Sequence, residues 1–266
     1  MLAEERYVWI LDRLHAKGLI TTQEICEGIG ISGETARRDL EKLEKEGHLR
    51  RVYGGATLIN GRGIEPPIRV RQGKNVAEKR AIGALAASLV REGETISLDI
   101  GTTTLEVARH LRHLHQLTVL TSSIPIATEL VGRGRISVYL TGGLVREGEL
   151  ALSGPLAEEA LKQFFVDKVF IGAGGITVAE GITDYILPEA QVRRLMVERA
   201  KEVIVVADHS KFGHVAFTSV VPISRIDKLI TDDGIDGEAL AEFRDKGVEV
   251  LVARVSKPGG KEVKEE

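Results

Sequence analysis

Residues 31–43 read Ile31-Ser32-Gly33-Glu34-Thr35-Ala36-Arg37-Arg38-Asp39-Leu40-Glu41-Lys42-Leu43. Wound as a helix, the stretch places Ala36, Leu40 and Leu43 at i, i+4 and i+7, one inward stripe. Thr35, Arg37, Arg38 and Glu41 then point elsewhere. Ser32 stands where an N-cap belongs, and Glu34 falls in the first turn, where the helix dipole favours an anion. The product is a short helix on a thin apolar face with two adjacent arginines near its start. A helix that enters a DNA major groove has this arrangement. A solvated surface helix shares it, because paired arginines beside acids are common, so the flanking sequence decides.

Upstream, residues 4–16 predict a first helix with Tyr7, Ile10, Leu11 and Leu14 on one face, stopped by Gly18. Thr21-Thr22-Gln23-Glu24 fits a capping box that opens a second short helix, which brings Ile25 and Ile29 to the core. Gly28-Ile29-Gly30-Ile31 reads as a tight turn into the third helix. Two short helices, a glycine-containing turn and a helix with exposed arginines make a helix-turn-helix. Downstream, Gly47 ends that helix. Residues 48–53 and 56–59 then flank Gly54-Gly55 as two short strands, a small wing. A wing bearing Arg50 and Arg51 can lie along phosphates, where a cation adds affinity without sequence information. Tyr7 and Trp9 are expected in core or dimer contacts, and Cys26 as a packed small side chain.

The bulk numbers constrain this reading. The chain has 266 residues, 28% charged and 43% hydrophobic, with a net charge of -3, an ordinary globular composition. Within residues 1–60, nine basic residues (Arg6, Arg13, Lys17, Arg37, Arg38, Lys42, Lys45, Arg50, Arg51) face ten acidic ones (Glu4, Glu5, Asp12, Glu24, Glu27, Glu34, Asp39, Glu41, Glu44, Glu46). DNA binding must therefore rest on a local basic patch. One cysteine excludes an internal disulfide and fits a reducing cytoplasm. No apolar run suits a signal peptide or a membrane span, so a cytoplasmic protein without a membrane partner is expected.

The expected organisation is a winged helix-turn-helix over 1–58, a linker over 59–74, an open, mostly parallel α/β domain over 75–255 and a polar tail over 256–266. Asn60-Gly61-Arg62-Gly63 and Pro66-Pro67 mark the linker. Beyond it, strands at 95–98, 117–121, 136–140, 168–171, 202–207, 227–231 and 248–253 alternate largely with helices. They are short, continuous and rich in Val and Ile, as in a parallel sheet covered on both faces.

In such sheets ligands bind beyond the carboxyl ends of the strands. Four loops there are unusual. Asp99-Ile100-Gly101-Thr102-Thr103-Thr104 offers backbone N–H groups and hydroxyls at a helix N-terminus, which suits a phosphate; plain N-capping is the structural alternative. No Walker A lysine or dinucleotide fingerprint is present. The others are Thr141-Gly142-Gly143, Gly172-Ala173-Gly174-Gly175 with Asp184 and Glu189 after it, and Asp208-His209-Ser210-Lys211. Asp99, Asp184, Glu189 and Asp208 could accept sugar hydroxyls; Lys211 and Thr102–Thr104 could bind phosphate. Single carboxylates in loops are usually caps, but four such loops after strands are harder to dismiss. His110, His113 and His115 lack the acid or cysteine partners of a metal site, and neither metal nor cofactor is expected.

These residues resemble the DeoR family of bacterial transcriptional regulators over nearly the whole chain. Ile31-Ser32, Thr35 to Leu40, Leu43-Glu44, Gly47, Leu49-Arg50-Arg51 and Gly54-Gly55-Ala56 are similar to its N-terminal signature, although Ala36 stands where the family usually has Ile. Asp99 to Thr103, Thr141-Gly142-Gly143, Phe170-Ile171-Gly172, Gly181-Ile182-Thr183 and Asp208 to Gly213 are similar to its sensor domain, a relative of ribose-5-phosphate isomerase and the CoA transferases. The resemblance implies a sugar-phosphate-responsive repressor of sugar-catabolic genes. Ser32, Thr35, Arg37, Arg38, Arg50, Arg51 and Tyr53 would meet operator double-stranded DNA. Asp99, Gly101, Thr102, Thr103, Thr104, Thr141, Gly142, Gly143, Gly172, Gly174, Asp184, Glu189, Asp208 and Lys211 would surround the phosphorylated sugar. Self-association into a homodimer or larger oligomer is expected, because one small winged head binds weakly. The rival reading is a sugar-phosphate isomerase with an added N-terminal domain, in which Asp99, Asp184, Glu189 and Lys211 do acid/base work.

Overall fold

The computed structural model describes residues 2–57, 62–132 and 135–255. Two compact units meet in sequence between Lys74 and Asn75. The first contains α1 (Ala3–Lys17), β1 (Leu19–Thr21), α2 (Thr22–Ile29), α3 (Gly33–Lys45), β2 (Arg50–Val52), β3 (Gly55–Thr57) and α4 (Ile68–Gly73). The capping box forms as its spacing predicts: the Thr21 hydroxyl accepts the Glu24 N–H, and the Glu24 carboxylate accepts the Thr21 N–H at 2.9 Å. Lys17 and then Thr21 hold the Glu24 carboxyl down at about 2. Helix α2 continues through Gly28 and Ile29 and ends at Gly30, so the turn is shorter than the expected 28–31. Ile10, Leu11, Leu14, Ile25, Ala36, Leu40 and Leu43 pack with Leu49 and Ala56.

Two features depart from the sequence reading. The wing is three-stranded, because β3 pairs antiparallel with β2 on one side and with β1 on the other. Strand β1 is three residues long, the last of them the capping-box Thr21, too few to show a period; pairing with β3 makes it. Within the expected linker, α4 follows Pro67, and its Val70 is buried in the first unit's core. Residues 58–61, which include part of the expected wing strand and linker, and the tail 256–266 lie outside the described residues.

The second unit contains α5 (Val76–Ala87), β4 (Thr95–Leu98), α6 (Thr102–His110), β5 (Leu117–Thr121), α7 (Ile124–Leu130), β6 (Ile136–Leu140), β7 (Leu144–Arg146), β8 (Ala151–Ser153), α8 (Pro155–Leu161), β9 (Val166–Ile171), β10 (Gly175–Thr177) and β11 (Gly181–Asp184). Then come α9 (Leu187–Glu198), β12 (Ala200–Val206), β13 (Thr218–Val221), β14 (Lys228–Asp232), α10 (Gly237–Asp245) and β15 (Glu249–Ala253). Seven strands form one sheet in the order β15-β14-β12-β9-β4-β5-β6. All its neighbours are parallel. An N-terminal winged helix-turn-helix followed by a mostly parallel α/β sheet is thus the architecture. The chain enters at β4, runs outward to β5 and β6, then crosses back to β9 on the other side of β4. Strand order therefore reverses between β4 and β9, the switch point at which open α/β sheets bind ligands. Among the described residues, no helix is long and apolar enough to cross a membrane.

One sheet face carries α5 to α7 over Ile96, Leu98, Val119, Phe170 and Ile204; the other carries α9 over Val169, Ile171, Val203 and Val205. Helices α5 and α6 approach closely at Gly83, where an added Cβ would lie 2.7 Å from the backbone carbon and the Cβ of Glu106. Backbone cannot swing aside, so Gly83→Ala should force the helices apart and cost about 1–3 kcal/mol. Urea unfolding that leaves the midpoint unchanged would contradict this packing.

Candidate functional site

Two polar surfaces stand out, one in each unit. On the first, the Ser32 hydroxyl caps α3 by accepting the Thr35 N–H at 3.2 Å and lies 2.9 Å from the Thr35 hydroxyl. Arg37 and Arg38 are exposed on the next turn. Arg38 pairs with Glu34 at 3.3 Å, but with both side chains over two-thirds exposed; such a pair is weak. Arg37 and Arg50 have no ion-pair partner among the described residues. Arg51 differs from the expectation of a free phosphate contact. Its N–H and its guanidinium both donate to Glu44 of α3, each at 2.8 Å, which fixes the wing to the helix. Tyr53 is fully exposed at the wing tip. On the opposite face of α3, Asp39 is buried and takes two bonds from Arg6 of α1 at 2.7 and 2.9 Å. That pair sets the helix against α1, and the sequence reading missed it.

In the second unit, the loops after β4 and β9 meet at the switch point. The Gly172 N–H donates to Asp99 Oδ2 at 3.0 Å. Arg193 of α9 donates to Asp99 at 2.6 Å and to Asp184, at the end of β11, at 2.6 Å. All three side chains are buried. Burial pushes the Asp99 carboxyl up against the pull of Arg193 and the Gly172 N–H. Burial also opposes the Arg193 charge, but Asp184 and Asp99 outweigh it and lift its pKa above the ordinary arginine value. One helical turn earlier, buried Glu189 is ion-paired with Arg146 of β7. These arginines come from a helix and a strand that the sequence reading did not connect to the loops. The i+4 spacing of Glu189 and Arg193 was the available signal, since it puts them on one face of α9.

Helix α6 opens the site on its other side. Gly101 has φ 130, a backbone that only glycine adopts readily, and caps the helix with no side chain. The first-turn N–H groups of α6 thus have no side-chain cap. Of the three threonines, Thr102 is the most accessible, Thr103 is buried, and the Thr104 hydroxyl turns back to the Gly101 carbonyl at 3.0 Å. Thr141 is buried after β6, Gly142 is exposed, and Gly143 rests against β8 and α8. Gly174 packs against Asp184 and Tyr185. Beyond β12, Asp208 is buried and accepts from Ser210 and from Asn75 at 2.7 Å. Burial raises its pKa, but Ser210, Lys211, Asn75 and Lys79 outweigh that and hold it below the usual carboxylate value. His209 lies beside it, with Nδ1 2.7 Å from Asp232 Oδ2. The arrangement combines a helix start that has no side-chain cap, chemistry that suits an anion, with carboxylates already paired to guanidinium groups.

The first unit matches the DeoR-like helix-turn-helix domain over residues 6–62, and residues 74–233 match the DeoR C-terminal sensor domain. The chain belongs to the DeoR family. It is 40% identical to the transcriptional repressor GlcR of Bacillus subtilis, over 95% of this chain and 97% of that one. It is 38% identical to the B. subtilis regulator YulB, over 97% of this chain and all of YulB. A putative aga operon transcriptional repressor of Escherichia coli O157:H7 is 33% identical, over 93% of each chain. Among solved structures, ribose 5-phosphate isomerase A of Methanocaldococcus jannaschii aligns over 50% of this chain and 53% of its own, at 18% identity and a TM-score of 0.37. A likeness that loose carries no argument. Like its DeoR-family relatives, the chain is a DNA-binding transcriptional regulator of the helix-turn-helix type.

Proposed function

We propose that this DeoR-family chain represses a sugar-catabolic operon and leaves its operator when a phosphorylated sugar binds the second unit. The observation that carries the effector reading is the convergence of the β4 and β9 loops at the switch point, beside an uncapped helix N-terminus. The phosphate meets Gly101, Thr102 and Thr103 at the start of α6, with Thr104 supporting the turn, and Lys211 adds its charge. Sugar hydroxyls meet Asp99, Asp184, Glu189 and Asp208, while Thr141, Gly142, Gly143, Gly172 and Gly174 keep backbone within reach. Operator contacts come from Ser32, Thr35, Arg37, Arg38, Arg50 and Tyr53, with Arg51 holding the wing. Two subunits present two heads to paired half-sites, which gives a near-neutral head useful affinity.

Isomerase chemistry fits the site less well. A general base must take up a proton, which a guanidinium partner opposes, whereas an arginine-paired carboxylate still accepts a hydroxyl's hydrogen bond with its remaining lone pairs. Asp99 and Asp184 share Arg193, and Glu189 is committed to Arg146. Incubation with ribose 5-phosphate, glucose 6-phosphate and fructose 6-phosphate should give thermal stabilisation by at least one, without turnover. Isomerisation at enzyme-like rates would overturn the regulatory reading of this unit.

Gly172 supplies a sharper test. A Cβ there would meet only the Ile100 carbonyl at 3.5 Å and Asp99 Oδ2 at 3.7 Å, ordinary contacts. Gly172→Ala should therefore fold, with stability unchanged or raised by up to about 1 kcal/mol. Its methyl stands in the ligand's path, so stabilisation by the best sugar phosphate should fall sharply. Equal stabilisation of variant and wild type would remove Gly172 from the site.

A further inference from the structure

We infer that Asn75 is the positioning residue through which occupancy of the effector site reaches the DNA-reading unit; this rests on the effector reading above. Asn75 is the first residue of the second unit, bonded in sequence to Lys74, the last of the first. Its side-chain amide donates to Asp208 Oδ1 at 2.7 Å, across 133 positions of sequence. The same oxygen accepts the Ser210 N–H at 3.1 Å and the Ser210 hydroxyl. One buried carboxylate oxygen thus ties the junction to the loop that carries Lys211.

The backbone at this joint is also unusual. Asn75 has φ 52 and ψ 45, the left-handed region, where it serves as the N-cap residue of α5 without capping it by side chain. Asparagine tolerates that region better than most residues, but occupying it still has a cost. The bond to Asp208 helps to hold it there. Helix α5, which Asn75 opens, is locked to α6 at Gly83, and α6 begins in the candidate phosphate site. The junction is therefore connected to the site at both ends, through Asp208 and through α6.

A ligand shifts an equilibrium only as far as it interacts differently with the two states. A sugar hydroxyl that donates to Asp208, or a phosphate that draws Lys211 and Ser210, competes for the oxygen that holds Asn75. Losing a hydrogen bond to a charged acceptor frees the junction backbone to leave the left-handed region, and with it the direction in which residue 74 departs. The effector need touch neither the junction nor the first unit.

Asn75→Gly tests this, because glycine reaches the left-handed backbone without strain and lacks the amide that holds the joint to Asp208. Operator DNA retardation and thermal shift are measured for wild type and variant with ribose 5-phosphate, glucose 6-phosphate and fructose 6-phosphate. The expected result is a variant that the same sugar phosphate still stabilises and that binds DNA without it, but more weakly than wild type, because nothing now holds the joint. The factor by which that sugar phosphate weakens DNA binding should fall about tenfold or vanish. Asn75→Asp, which sets a second carboxylate against Asp208, should weaken DNA binding even without sugar phosphate. An unchanged release factor in Asn75→Gly overturns the inference and leaves the effector reading standing. Loss of sugar-phosphate stabilisation in Asn75→Gly also overturns it, by making Asn75 part of the site. A wild type that none of the three compounds stabilises sinks the effector reading itself, and the inference with it.

Discussion

Replacing Arg193 with Met should cost the second unit about 3–5 kcal/mol at pH 7, the penalty for leaving buried carboxylates without their cation. Methionine fills most of the volume, so the loss is electrostatic. Arg193 is the shared partner of Asp99 and Asp184, and all three are buried. The pH dependence has a definite sign. In the variant, burial acts on the Asp99 carboxyl without the opposing pull of Arg193, so its folded-state pKa stands further above the unfolded value of about 3.9. A group raised in this way destabilises the fold above its unfolded pKa, and the penalty fades as pH falls towards it. The gap between wild type and variant should thus be widest near neutrality and narrow towards pH 4. Urea unfolding at pH 7 and pH 5 measures it. A third form, with Asp99→Asn and Asp184→Asn added, should recover part of the loss at pH 7. A gap that is constant with pH, or absent, would mean that the triad is not the floor of the site.

The second large effect concerns DNA. Arg37→Ala and Arg38→Ala should each weaken operator binding by about 10- to 100-fold, the range for losing one base-edge contact. Both side chains are exposed, so folding stability should move by no more than about 0.5 kcal/mol. A salt series separates their roles. Loss of a phosphate contact lowers the slope of log affinity against log salt by about one, whereas loss of a base contact leaves the slope and relaxes sequence preference. Arg51→Ala should behave differently from both, because it removes the guanidinium bond to Glu44 and leaves the wing tied to α3 there only by the backbone N–H. If Arg37→Ala and Arg38→Ala bind the operator as wild type does, α3 is not the reading helix.

The DNA-reading unit was legible because each of its signals is local. The Ala36, Leu40 and Leu43 stripe, the Ser32 cap and the Thr21–Glu24 box depend on residues a few positions apart, and each forms as its spacing requires. Strand β1 and helix α4 were not legible: neither has a repeat of its own, and each is made by a partner distant in sequence, β3 for one and the core around Val70 for the other. The second unit divides in the same way. Its parallel strands announce themselves by continuous Val and Ile, whereas β7, β8, β10, β11 and β13 are short antiparallel additions of three or four residues that read as loops.

The loops of the candidate site were visible by their glycines, hydroxyls and acids. The residues that organise them were not. Asp99 and Arg193 are 94 positions apart, Arg146 and Glu189 are 43 apart, and Asn75 and Asp208 are 133 apart. No periodicity connects such pairs; the reversal of strand order between β4 and β9 brings the first together. Arginine on a helix reads as a solvated cation until its carboxylates are known. The electrostatics follow from the same limit: four acids in loops suggested hydroxyl acceptors, whereas three of them carry guanidinium partners in the fold.

Sugar-phosphate-controlled DNA binding is tested by a gel shift of the DNA upstream of the chain's own gene. Purified protein is titrated in, then challenged with ribose 5-phosphate, glucose 6-phosphate, fructose 6-phosphate and the three unphosphorylated sugars. The expected result is a retarded band that at least one phosphorylated sugar abolishes and that its parent sugar leaves intact. A band that persists through all three sugar phosphates, or equal release by a sugar and its phosphate, would contradict it.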